Sequence, residues 1–159
     1  HLSIRRQRQM CIRDSVGIGP YDPSRNPFAR FDPTVLKIFQ DRSPKLPREG
    51  LVLSADPGLG VPGIPQSATG QTTLFTGVNA ARYIGFHQQG FPSPALRDLI
   101  ARNSVFQQLR RLGMNPTFAN VYTPRFFASR PRWVSVTTVM VESSGVRLRT
   151  LEDLSLIHI

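Results

Sequence analysis

Residues 56–79 read DPGLGVPGIPQSATGQTTLFTGVN, and the fold turns on how this stretch is read. Just before it, Leu51-Val52-Leu53 is an apolar run suited to a strand buried on both faces, as in a parallel sheet. Gly58, Gly60, Pro62, Gly63 and Pro65 continue neither strand nor helix, so the chain leaves the strand through an irregular loop ending at Ser67. From Thr69 onward, Leu74, Phe75 and Val78 recur at helical spacing, with Gly77 or Asn79 available to stop the helix. The pattern therefore predicts strand, loop and helix, with Ser67 at the helix N-terminus. Unpaired backbone N–H groups and the positive end of the helix dipole meet there, which suits a phosphate or sulfate.

Three chemical readings of the stretch compete. Gly58-x-Gly60-x-x-Gly63 matches the dinucleotide fingerprint in spacing, but Pro62 and Pro65 keep a helix from opening at the third glycine. A phosphate-binding P-loop needs a lysine after its second glycine, and Gln71 follows Gly70 instead. The remaining choice lies between a functional anion loop and a plain connector whose Ser67 caps the helix. Composition alone leaves these two level.

A resemblance bears on that choice. PQSATGQTTLFTGVNAARYIGFHQQGFPSPALRDLIARNSVFQQLRRLG, followed by FANVYTPRFF, resembles bacterial metalloenzyme-domain proteins of the alkaline phosphatase superfamily, which includes cofactor-independent phosphoglycerate mutase. The likeness runs over most of residues 16–153, and QSATGQT is its most specific motif. The mutases carry an Asn-Ser-Glu-Val-Gly-His turn whose serine is a metal-bound nucleophile, and Gln66-Ser67-Ala68-Thr69-Gly70-Gln71 aligns with it, serine and glycine in register. The resemblance implies Ser67 as catalytic nucleophile and metal ligand, with Thr69 as the alternative nucleophile, and Gly70, Gln71 and His87 as substrate-binding residues. It also implies Asp14 as a metal ligand, since Asp14-Ser15-Val16-Gly17-Ile18-Gly19 parallels the family's first metal-binding aspartate and the run after it. The implied cofactor is a pair of divalent cations, zinc or manganese, about 4 Å apart. The implied fold is an alkaline-phosphatase-like α/β domain, a mostly parallel sheet flanked by helices.

Bulk properties narrow the field. At 159 residues and 40% hydrophobic content the chain can form one modest domain. No apolar run is long enough to span a membrane. The single cysteine, Cys11, excludes a disulfide framework and a cysteine-rich zinc site. Nothing in residues 1–15 reads as a secretory signal, so the expected location is the cytoplasm. Of the net charge of +10, residues 1–15 contribute +3, and the rest is spread over many arginines. Such a field suits a phosphorylated or sulfated small substrate, or simply a solvated surface. Arg110-Arg111 and the group Arg125, Arg130 and Arg132 with Phe126, Phe127 and Trp133 form the best basic-aromatic candidate. No DNA or RNA motif accompanies it, and nucleic acid is not the expected partner.

Both ends read as foreign. HLSIRRQRQMCIRDS and LSLIHI resemble translated sequencing-adapter sequence, so residues 1–15 and 154–159 are expected to be non-native tails around a partial domain over 16–153. The C-terminal half of the parent domain, with its remaining Asp and His ligands, is then expected to be missing, and the fragment inactive.

Between these landmarks, residues 16–30 read as a Gly/Pro-rich loop, and Asp32-Pro33 as the start of a short helix carrying Val35, Leu36, Ile38 and Phe39. A polar connector over 41–50 leads to a strand over 51–55, whose end places Asp56 in a turn. His87 lies in a loop, GFHQQG, and a lone loop histidine is more often structural than catalytic. Ser93-Pro94 starts a helix with Leu96, Leu99 and Ile100 as its buried stripe. A further helix follows from Ser104, with Val105, Phe106 and Leu109 inward and Gly113 as its stop. Residues 117–122 read as a strand, while 135–141 suit a strand by β-branched content and a helix by resemblance. Residues 150–154 look like the start of another helix. Strands alternating with helices predict an α/β architecture. The alternative function is a noncatalytic basic α/β module that holds an anion or nucleic acid without turnover.

Overall fold

The structure is a computed structural model that describes residues 18–31, 38–42, 55–129 and 132–155, with side chains through Asp153. Asp14, the apolar run 51–54, Arg130 and most of the helix expected from Asp32 lie outside the described residues. The described residues fall into two compact units, those up to Asp56 and those from Pro57 on.

In the first unit, Asn26 organises the backbone. Its Oδ1 accepts the Phe28 N–H at 3.1 Å and its Nδ2 donates to the Pro20 carbonyl at 2.9 Å. With Pro27 pre-set for the first helical position, helix α1, Pro27–Phe31, begins here. This corrects the expectation of loop through residue 30. Phe39, expected in a helix, instead bridges Arg42 in antiparallel fashion. Tyr21 meets Phe39 edge-on at 5.0 Å, and the Arg42 guanidinium lies 3.4 Å from the Tyr21 ring centre.

The second unit is α/β, built from helices around a small parallel sheet. Its elements are α2 (Ser67–Thr76), α3 (Ala80–Ile84), α4 (Pro94–Asn103), α5 (Val105–Arg111), β1 (Val121–Tyr122), α6 (Pro124–Ala128), α7 (Val136–Ser143), β2 (Arg149–Thr150) and α8 (Glu152–Ser155). Strands β1 and β2 pair in parallel, Val121 with Arg149 and Tyr122 with Thr150. The sheet among the described residues is thus far smaller than expected. The strand foreseen over 117–122 narrows to its last two residues. No helix among the described residues is long and apolar enough to cross a membrane.

Helix α4 is the hub of the core. Leu96, Leu99 and Ile100 are buried as their spacing requires. Leu96 and Leu99 pack with Ala68 of α2 and Ala80 of α3. Ile100 packs on the other side with Val136, Met140 and Val141 of α7. The undecided segment 135–141 is therefore helical: Ser135 accepts the Thr138 N–H at 3.3 Å as N-cap, and burial against α4 outweighs the β-branched propensity.

Helix α2 starts at Ser67, as expected, and runs to Thr76, with the left-handed Gly77 as its C-cap. Of the apolar set that defined the period, Phe75 and Val78 pack against the core, but the helix's most buried positions are small or polar. Leu74 is 73% exposed, whereas Ala68, Thr69, Thr72 and Thr76 are buried. The small side chains let α2 approach α4, and their hydroxyls bond within the helix: Thr72 Oγ1 to the Ala68 carbonyl and Thr76 Oγ1 to the Thr72 carbonyl, both at 2.7 Å. Burying them leaves no polar atom orphaned.

Helix α5 ends as foreseen. The Gly113 N–H donates to the Arg110 carbonyl and the Met114 N–H to the Leu109 carbonyl, with Gly113 at φ +74°. Val105, expected inward, is 42% exposed, while Phe106 packs against the cluster around Ile100.

Candidate functional site

The loop before α2 is tightly wound. Leu59 and Gly60 both take positive φ, +54° and +68°, and the Val61 N–H closes a turn on the Gly58 carbonyl at 2.9 Å. A leucine in that region costs about 1 kcal/mol, so outside contacts must hold it. Two side chains do so. Asn79 Nδ2 donates to the Leu59 carbonyl at 2.8 Å while Asn79 Oδ1 accepts the Arg82 N–H at 2.9 Å, so one residue caps α3 and clamps the loop. His87 Nε2 stands 3.1 Å from the Val61 carbonyl. A carbonyl only accepts, so Nε2 carries the proton.

The loop delivers Ser67 to the first turn of α2, where residues 88–90 cover it. Gly90 donates its N–H to Ser67 Oγ at 3.2 Å. The Gln88 carbonyl accepts the Ala68 N–H at 3.1 Å and the Thr69 N–H at 3.4 Å. The Gln88 N–H in turn donates to Thr69 Oγ1 at 3.3 Å, and Thr69 Oγ1 donates to the Gln66 carbonyl at 3.2 Å. Gln66, at the N-cap position, makes no side-chain cap bond. First-turn donors that the sequence pattern leaves open to an anion are thus engaged by a backbone oxygen.

Ser67, Thr69, Gly70 and Gln71 share the first turns of α2, and Gln71 lies one turn from Ser67 on the same face. Ser67 and Gln71 are each 6% exposed, and Thr69 is fully buried. Gly70 sits inside the helix, where an added Cβ would meet nothing within 4 Å. His87 is brought to the neighbouring loop segment, with its Nε2 engaged by Val61. Asp14 lies outside the described residues.

The implied pair of divalent cations needs several Asp and His donors. Among the described residues no three His, Cys, Asp or Glu side chains gather into such a set. The described surroundings of Ser67 therefore do not fit a two-metal centre on their own.

Sequence reasoning missed Asn79 as a clamp, Gln88 and Gly90. Asn79 carries a readable cap signal, Asn three residues before Arg82 at the start of a helical run. Gln88 and Gly90 act on α2 through backbone atoms, which leave no side-chain signature. Comparison with known protein families, with curated proteins and with solved structures gives no match.

Proposed function

We propose that this chain is the N-terminal part of a metal-dependent phosphoester or sulfoester hydrolase or phosphotransferase with an incomplete alkaline-phosphatase-like fold, and that Ser67 is its nucleophile. One observation supports the reading: next to Ser67, two first-turn N–H groups of α2 converge on a single oxygen, as they would on an oxygen of a phosphoryl or sulfuryl group. The Gln88 carbonyl accepts two first-turn N–H groups of α2, at 3.1 and 3.4 Å. A phosphoryl or sulfuryl oxygen would take the same donors, favoured by its charge and by the helix dipole. Ser67 is 6% exposed, so in this reading substrate enters as residues 88–90 move aside, which would also release the Ala68 and Thr69 N–H groups. The Ser67 Oγ would then bond to phosphorus or sulfur while the bond from that atom to the ester oxygen breaks, the serine proton passing through solvent to the leaving alcohol; water, or an acceptor alcohol, then takes the group and returns a proton to the serine. Donors for the cation pair would come from outside the described residues, Asp14 among them. In this reading the enzyme is cytoplasmic, its substrate is small, and the fragment by itself is inactive.

The test is Ser67→Ala in a full-length product that carries this sequence, assayed on an aryl phosphate and an aryl sulfate with zinc or manganese. Turnover should vanish while far-UV circular dichroism is unchanged. Retained turnover removes Ser67 from the role, and Thr69→Ala is then the next variant.

A second reading draws on the same contact. If the Gln88 oxygen is the permanent occupant, Ser67 merely fastens residues 88–90, and the chain is a noncatalytic basic α/β module. Turnover that is absent in the full-length product, with and without metal, would favour this one.

A further inference from the structure

Away from Ser67, the C-terminal end of α7, β2 and the turn after α5 enclose a groove of about 470 Å³ whose lining includes Arg110, Thr117, Gly145, Arg147, Arg149 and Asp153. Three guanidinium groups face one carboxylate there, and that carboxylate is taken: Asp153 pairs with Arg147. Arg110 is fixed by neutral partners. Its Nε donates to the Ser144 carbonyl at 3.1 Å, its Nη2 to the Gly145 carbonyl at 3.2 Å and its Nη1 to Asn115 Oδ1 at 3.5 Å. Arg149 is likewise held by a neutral oxygen, donating through Nη2 to Thr117 Oγ1 at 2.9 Å.

Neutral acceptors hold a guanidinium in place without cancelling its charge. Of five N–H donors each, these bonds occupy three on Arg110 and one on Arg149. Two positioned cations thus keep donors for a further acceptor. The backbone is shaped around one of them. Gly145 has φ +67°, and a Cβ there would stand 3.3 Å from Arg110 Nη2. Planar guanidinium forks match tetrahedral oxyanions bidentately, and the volume is that of a small-molecule site.

We propose that the groove formed by Arg110, Arg147 and Arg149 binds a small ligand through a phosphoryl group, with Arg110 and Arg149 as its anchors. This site is separate from Ser67 and does not depend on the catalytic reading.

The test is calorimetric titration of the full chain with sodium pyrophosphate, against sodium chloride at equal ionic strength. Saturable binding of pyrophosphate is expected. Arg149→Gln should weaken it about tenfold or more, Arg149→Lys by less, and Arg82→Gln, an equal loss of charge at an exposed position of α3, should leave it unchanged. Unfolding of the unliganded variants by urea separates lost binding from lost folding. Should Arg149→Gln unfold, Thr117→Val, which frees Arg149 from its one holding bond, is expected to weaken binding in its place. Absence of saturable binding, or equal weakening by Arg149→Gln and Arg82→Gln, would overturn the proposal. So would binding lost in Ser67→Ala and kept in Arg149→Gln, an outcome that leaves the Ser67 reading standing.

Discussion

The Gly90 backbone N–H reaches Ser67 Oγ at 3.2 Å across 23 positions of sequence. This bond joins the start of α2 to the segment that follows α3, and it makes Ser67 a structural acceptor as well as the candidate nucleophile. Ser67→Ala should therefore cost about 1–2 kcal/mol, the penalty for stranding a partly buried donor. Urea denaturation of the chain with and without the substitution measures it. An unchanged midpoint would mean that the Gly90 N–H has another acceptor.

Asn79 performs two tasks that can be separated. Asn79→Asp keeps the Oδ acceptor for the Arg82 N–H but removes the Nδ2 donor to the Leu59 carbonyl. Asn79→Ala removes both. The alanine variant should lose about 1 kcal/mol for the cap plus the loop bond, and the aspartate variant only the latter. Amide exchange at Val61, whose turn sits beside Leu59, should accelerate in both variants.

Packing around α4 makes opposite forecasts for two leucines. Leu96 is fully buried between α2 and α3, and Leu96→Ala should cost about 2–5 kcal/mol. Leu74 on α2 is 73% exposed, and Leu74→Ala should fall within about 0.5 kcal/mol of no effect. Denaturant melts of the two variants, run side by side, check the ranking. Equal costs would mean that the exposed face of α2 is covered in solution.

Asp153 gives a pH signature. Its hydrogen bond from Arg147, and next the Thr150 N–H at 2.6 Å, hold its carboxyl below the usual carboxylate range. A lowered folded-state pKa stabilises above the unfolded value, near 3.8, and that contribution is lost as pH falls through the folded one. The stability gap between the chain and Asp153→Asn should therefore be present at neutral pH and close below about pH 4. Thermal melts across that range measure it, and the effect should be small because Arg147 is largely exposed.

How much of this was legible depends on where each signal resides. Pro94 at the first turn and Leu96, Leu99 and Ile100 on the buried face carry α4 in their side chains, and it forms as read, except that Ser93 at the N-cap makes no side-chain cap bond. Gly77 and Gly113 mark helix ends because only their backbones take positive φ cheaply. Local pattern misled where tertiary contact decides. The Thr-rich face of α2 is buried because its hydroxyls bond back into the helix, which hydropathy does not register. The segment 135–141 is helical because α4 offers it an apolar surface. The cover over Ser67 was invisible, being made of the Gln88 carbonyl and the Gly90 N–H. The basic groove was equally hidden: Arg110 joins Arg147 and Arg149 in space, whereas the sequence grouped it with Arg111 and the arginines beside Phe126 and Trp133.

The most direct test of the central proposal is to look for the covalent intermediate. A full-length product carrying this sequence would be incubated with an aryl phosphate and metal, quenched in acid, digested and sequenced by mass spectrometry. The account predicts a phosphoryl group on Ser67, absent without substrate and absent in Ser67→Ala. Turnover with no label on Ser67, or with the label on another residue such as Thr69, would contradict it.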